Sequence, residues 1–192
     1  MTTAANALPR VMEVATHGAV VLAGDNAAGA AFSPCEHYRW LLWRMWNPEL
    51  PFWTFGMLNP STATHERVDP TIARCISRAK AGGAGGLIVW NLFAWRATKP
   101  EAMKIVADPV GKANDRAILH AVQAGAINVA GWGAHGGHMG RDAKVLNLLA
   151  SKSDAKLHAL AFTEGGLPRH PLYLPLHLEP QPWAGMGEGT AF

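Results

Sequence analysis

Phe52-Trp53-Thr54-Phe55-Gly56-Met57-Leu58, followed closely by Asp69-Pro70-Thr71-Ile72, is the stretch that decides how this chain folds. The first segment is an apolar run without the polar alternation of a half-exposed strand, which marks a strand buried on both faces. The second is a helix start. Asp69 is suited to cap the first turn and Pro70 to occupy its first position, and Ile72, Cys75, Ile76 and Ala79 carry the helix to a stop at Gly82-Gly83. The pattern then repeats. Leu87 to Trp90 reads as a second strand, with a helix from about Lys112 to Ala124 ahead of Gly125. Ile127 to Ala130 reads as a third strand, a helix runs from about Asp142 to Ala150, and Leu157 to Phe162 is a fourth strand. This alternation predicts a three-layer α/β/α domain around a central four-stranded parallel sheet.

Working outward, Tyr38 to Trp46 satisfies both a two-residue and a helical spacing. Its aromatic content and the closely following Pro48 and Pro51 favour a strand. Short β-like runs at Val11 to Val14 and Ala19 to Leu22 make residues 1–36 an irregular or β lead-in, an N-terminal β extension of the core. The core itself is expected over 37–183, with a flexible tail at 184–192. A length of 192 residues suits one domain spanning 1–192.

Hydrophobic residues make up 49% and charged residues 16%, a balance that excludes a disordered chain. No run approaches the ~18 uninterrupted apolar residues of a membrane span, and the N-terminus lacks a basic stretch before an apolar core. A cytoplasmic protein is expected, with no membrane association and no obligate protein partner. A net charge of +3 permits a polyanionic partner without requiring one. Cys35 and Cys75 form no Cys-x-x-Cys pattern, so they read as buried thiols rather than as a disulfide or zinc ribbon.

In an α/β sheet the ligand crevice lies beyond the carboxyl ends of the strands. The segments there are Asn59-Pro60-Ser61-Thr62, Asn91 through Arg96, Gly131 through His135, and Thr163-Glu164 with Arg169-His170-Pro171. An amide at the end of a buried strand needs a partner, because an unpaired polar group is costly there. Capping of backbone answers that need for Asn59 or Asn91 singly. Two amides at equivalent positions, near Phe93, Trp95 and Trp132, fit a pocket for a flat, amide-bearing ring such as a nucleobase.

These residues also carry a resemblance. Met57-Leu58-Asn59-Pro60-Ser61 resembles the Gly-hydrophobe-Asn-Pro motif after the first core strand in the mismatch-type branch of the uracil-DNA glycosylase-like superfamily. Asn91-Leu92-Phe93 is similar to the strand-end asparagine that reads the base edge there, and His170-Pro171 resembles the His-Pro motif of the late catalytic loop. From about Tyr38 to Trp183 the chain more closely resembles a bacterial and phage family known as a domain of unknown function. The shared pattern is Leu-Asn-Pro-Ser-Thr-Ala, Asp-Pro-Thr-Ile, Asn-Leu-Phe-Ala-x-Arg-Ala-Thr, Trp-Gly and Pro-Arg-His-Pro-Leu-Tyr-Leu. The resemblance implies an antiviral DNA glycosylase that removes bulky modified bases, such as glucosylated 5-hydroxymethylcytosine, from phage DNA.

On that reading the enzyme is monofunctional: it flips a modified pyrimidine, hydrolyses its N-glycosidic bond and leaves an abasic site. Asn91 reads the base, Phe93 stacks on it, and Met57 and Trp132 complete the base pocket. Asn59 positions water, since no Asp or Glu immediately follows the first strand. His170 stabilises the leaving base. Asp69 is the nearest carboxylate, with helix capping as its other role, and Glu66 shares its loop. Ser61, Arg96, Lys99, Arg141 and Arg169 are expected along the DNA, with surface charge as the alternative for the cations. Leu172 or Tyr173 fills the gap left by the flipped nucleotide, core packing being the alternative. Hydrolysis of free modified nucleosides or nucleotides, and a non-catalytic nucleotide-binding sensor, remain open from the same residues.

Other chemistries find little support. His135 and His138 are separated by glycines rather than held on a helix, so no metal is expected. Gly82 to Gly86 lacks the Lys and Ser/Thr of a phosphate-cradling loop and precedes a strand. No Gly-x-Ser-x-Gly elbow occurs, and no cofactor is expected.

Overall fold

A computed structural model describes residues 2–7, 21–61, 63–64, 66–183 and 185. The elements are β1 (Val21–Gly24), β2 (Ala28–Phe32), β3 (Arg39–Met45), β4 (Phe52–Met57), α1 (Pro70–Ala81), β5 (Gly86–Asn91), α2 (Pro100–Lys104), α3 (Asn114–Ala124), β6 (Gly125–Ala130), α4 (Arg141–Lys152), β7 (Leu157–Ala159) and β8 (Gln181–Trp183). Short 3-10 turns occupy Gly133–Gly140 and Pro171–Tyr173. Among the described residues no helix is long and apolar enough to cross a membrane.

Among the described residues the strands join one mixed sheet of eight, in the order β1-β2-β3-β5-β4-β6-β7-β8. The sheet is therefore wider than the central four strands expected. Pairing is parallel between β5 and β4, β4 and β6, and β6 and β7. It is antiparallel from β1 through β3, between β3 and β5, and between β7 and β8, so antiparallel pairings predominate. β1 and β2 fall in the expected β extension, and β3, the strand expected over Tyr38 to Trp46, links them to β5. β8 escaped notice because Gln181-Pro182-Trp183 contains a proline, which a strand tolerates at an edge, where an unpaired N–H is not needed. The expected flexible tail lies outside the described residues except for Gly185. The Val11 to Val14 run lies outside them entirely.

Helices cover both faces. Ile72, Cys75 and Ala79 of α1 pack with Phe55, Met57, Leu87 and Val89 on one side. Ala117, Ile118 and Ala121 of α3 and Val145 and Leu149 of α4 pack with Trp43, Ile88 and Trp90 on the other. Every residue of β4 and of β5 is buried, which explains their unbroken apolar runs. The polar member of β4, Thr54, is satisfied by a chain across three strands. Trp90 Nε1 donates to Thr54 Oγ1 at 3.2 Å, and Thr54 Oγ1 donates to Asn128 Oδ1 at 2.7 Å. Gly56 stands opposite Trp90 in register, and a Cβ there would run into the indole. Cys75 is buried as expected, whereas Cys35 is exposed, with Ser33 Oγ at 3.3 Å.

Candidate functional site

The carboxyl ends of β4 and β5 and the segment after β6 meet the start of α1 around a cavity of about 590 Å³. That volume suits one small organic ligand. Asp69 places α1 there. Its carboxylate accepts from Ile72 N–H at 2.8 Å, fixing the first turn, and Asp69, Pro70, Thr71 and Ile72 all line the cavity. The capping role of Asp69 is thereby established, at the edge of the site.

Nine of the residues expected to take part in base or DNA binding or catalysis line this space: Met57, Asn59, Ser61, Asp69, Asn91, Trp132, His170, Leu172 and Tyr173. Asn59 Nδ2 donates to the Ala97 carbonyl at 2.7 Å and to the Pro60 carbonyl at 3.1 Å. Both amide hydrogens are used, so Oδ1 is the atom left to accept from a ligand or a water. Asn91 has the reverse character. It is 1% exposed, and its Nδ2 is buried with no hydrogen-bond partner. A buried donor without an acceptor costs about 1–3 kcal/mol, so a ligand that supplies one gains correspondingly.

The backbone beneath Asn91 is held from the far side of the sheet. Asn114 Nδ2 donates to the Asn91 and Leu92 carbonyls at 3.0 and 2.9 Å, and Arg141 Nε donates to the Leu92 carbonyl at 2.7 Å. Arg141 Nη2 also pairs with Asp115 at 2.5 Å. The expectation that Arg141 meets DNA is corrected: it is 5% exposed, and its guanidinium is committed to a strand end and a carboxylate.

His170 reaches the site because the late loop folds back. Gly133 N–H donates to the Pro168 carbonyl at 2.9 Å, and Arg169 N–H donates to the Ala161 carbonyl at 2.9 Å. Gly131 lets Pro171 approach, since a Cβ there would lie 2.7 Å from Pro171 Cδ. His170 Nδ1 accepts from Leu172 N–H at 3.3 Å, which leaves Nε2 to carry the proton of the neutral ring. Burial pushes its pKa below the usual histidine value, and the field of Asp69 opposes that shift without cancelling it. Tyr173, 78% exposed, stands at the rim with its ring 6.0 Å from that of His170.

Phe93 is a second correction. It is fully buried, packs in the core with its ring 5.5 Å from His138, and is absent from the cavity wall, so it offers no face to a base. Trp132 does line the wall, yet its indole is wedged between Trp90 and Trp183, at 6.0 and 5.5 Å. Arg96 lies outside the main cavity, in an adjoining groove that shares Ser61, Ala97 and Thr98 with it. There its guanidinium sits 5.1 Å from the Phe32 ring centroid and donates to the Glu36 carbonyl at 2.9 Å. Lys99 and Arg169 are exposed and outside the cavity lining, as is Glu66. His135 lines the cavity with Nδ1 3.0 Å from Lys104 Nζ, while His138 turns toward Phe93.

Sequence reasoning missed Arg39. This first residue of β3 is 2% exposed and lines the cavity, with its Nη1 donating to the Ala63 carbonyl. Burial lowers its pKa to about 10, with Asp69 opposing the shift and Arg96 and Arg44 adding to it, so the side chain is charged at neutral pH. The available signal was a charged residue inside an aromatic strand.

A family described as a protein of unknown function (DUF1643) matches residues 39–172, well over half of the chain. The protein belongs to that family. No curated protein and no solved structure matches it.

Proposed function

We propose that this family member is a monofunctional DNA glycosylase that flips a modified pyrimidine out of DNA and hydrolyses its N-glycosidic bond. The observation that carries the reading is the unpartnered Asn91 Nδ2 in the wall of a 590 Å³ cavity that also presents Asn59 Oδ1. A pyrimidine edge offers ring and carbonyl acceptors to such a donor. A cavity of this volume has room for a base bearing a bulky substituent, such as glucosylated 5-hydroxymethylcytosine. Removal of such bases from phage DNA would serve antiviral defence.

Asn59 supplies position rather than basicity. Its Oδ1 accepts a hydrogen from water and orients the oxygen toward the sugar C1′ as positive charge develops there. His170, neutral at physiological pH, donates Nε2–H toward the departing base. Leu172 and the exposed Tyr173, at the cavity, are the residues available as a wedge for the vacated stack, and Ser61, Arg96, Lys99 and Arg169 are the polar and cationic groups available for flanking phosphates.

The test is incubation of the purified protein with phage DNA containing glucosylated 5-hydroxymethylcytosine, beside unmodified and uracil-containing DNA. Alkali then breaks any abasic sites. Cleavage confined to modified DNA, and lost in Asn59→Ala, is the expected result. Normal folding without cleavage of any DNA would overturn the reading.

A further inference from the structure

Arg39 carries more charge than its structural duty needs. Among the described residues its guanidinium holds the Ala63 carbonyl and is partly compensated by the Asp69 carboxylate, and Arg44 Nη2 already secures the next described residue of that loop, donating to the Thr64 carbonyl at 2.6 Å. Keeping a cation 2% exposed costs several kcal/mol unless a partner compensates it. Yet Arg39 Nε is buried without a hydrogen-bond partner, as is Asn91 Nδ2. The two side chains line the same cavity from adjacent strands, β3 and β5. The first residues of α1 line it too, and a helix start favours negative charge. The wall therefore offers buried donors and one buried cation to whatever enters.

We propose that Arg39 is a catalytic residue of the base-releasing reaction, its Nε–H donating to the carbonyl oxygen of the departing pyrimidine. The inference rests on the glycosylase reading above. As the bond between C1′ and the base nitrogen breaks, its electron pair stays with the base and spreads to the adjacent carbonyl oxygen. Water adds its oxygen to C1′, and its released proton ends on the base nitrogen. A neutral His170 can donate to the base but supplies no net charge, whereas the Arg39 guanidinium faces the developing anion with a full one. Removing such a donor slows comparable reactions by about 10²–10³-fold.

The experiment uses the full-length chain and the modified pyrimidine that the wild type releases, in DNA, with a second substrate whose base carries sulfur in place of the carbonyl oxygen. Sulfur accepts hydrogen bonds poorly. Single-turnover rates and DNA affinity are measured for wild type, Arg39→Lys and Arg39→Met, with folding checked by circular dichroism. Wild type is expected to lose about tenfold or more on the sulfur substrate. Arg39→Met should be slowed about 10²–10³-fold on the oxygen substrate, with little change in DNA affinity, and should lose clearly less than wild type on the exchange, the remainder coming from His170 and Asn91. Arg39→Lys, which keeps the charge and packs in the same place, should be intermediate both in rate and in its loss on the sulfur substrate. Wild-type rates in folded variants, or an unchanged sulfur penalty in them, would overturn the assignment alone. A wild type that releases no base from any DNA would overturn the glycosylase reading and take Arg39 with it.

Discussion

Asn59 and Ala97, far apart in the chain, are joined by a hydrogen bond of 2.7 Å from the Asn59 amide to the Ala97 carbonyl. The return bond, from Ala97 N–H to the Pro60 carbonyl at 2.9 Å, zips the two loops together beyond the strand ends. The asparagine is thereby held in one orientation, acceptor free and donors occupied.

Replacement of Asn59 by Ala removes that acceptor and the bond to Ala97. We expect base release to fall about 10²-fold while stability drops by about 0.5–1.5 kcal/mol, the net worth of one hydrogen bond. Single-turnover rates beside urea melts check both numbers. Loss of folding with no separable rate effect would make Asn59 a loop tie only.

His170 predicts a pH dependence with a definite sign. Its folded pKa lies below the 6.5 of an unperturbed histidine, so the unfolded chain binds the proton more readily. Stability from this group is full above pH 6.5 and is lost as pH falls from there through the folded value. Unfolding midpoints of wild type should decline over that window more steeply than those of His170→Gln. Base release by the wild type should stay level from neutral to mildly alkaline pH, since the neutral donor persists.

Arg141 separates a strand anchor from a phosphate contact. Arg141→Met should destabilise by about 1–3 kcal/mol, because the Leu92 carbonyl loses a buried charged donor. The slope of DNA affinity against salt should not change, whereas loss of a phosphate contact would lower it by about one. Binding isotherms at several salt concentrations decide between the two.

Gly131 tests the placement of the late loop. Any Cβ there meets Pro171, so Gly131→Ala should push the His170 segment off the β6 end. The expected cost is about 1–3 kcal/mol of overpacking together with slower base release. Melting and single-turnover measurements on the same variant read both effects.

Tyr173 lies at the opposite extreme. With 78% of it exposed, Tyr173→Ala should alter stability by no more than about 0.5 kcal/mol. If it props open the duplex, activity on double-stranded DNA should fall while activity on single strands persists. Equal loss on both forms would reassign it to ligand binding.

The sequence by itself determined the strand and helix alternation from Phe52 to Leu157, the Asp69 cap and the segments that ring the cavity. Buried strands and helix caps are local patterns, and the rule that ligands lie beyond strand ends converts them into a site. The extent of the sheet was not legible, because whether β3 pairs with β5 and β8 with β7 depends on distant partners. Nor was the direction of each side chain. Phe93 and Asn91 stand two positions apart and both looked like pocket residues, yet the chain has left the strand at Phe93, whose ring turns into the core. Arg141 stood in no telling local pattern, and Arg39 stood out only as a charge inside an aromatic strand. Only tertiary packing made one a strand anchor and the other a buried charge at the cavity, because the cost of burying a cation is set by the neighbours that folding brings to it.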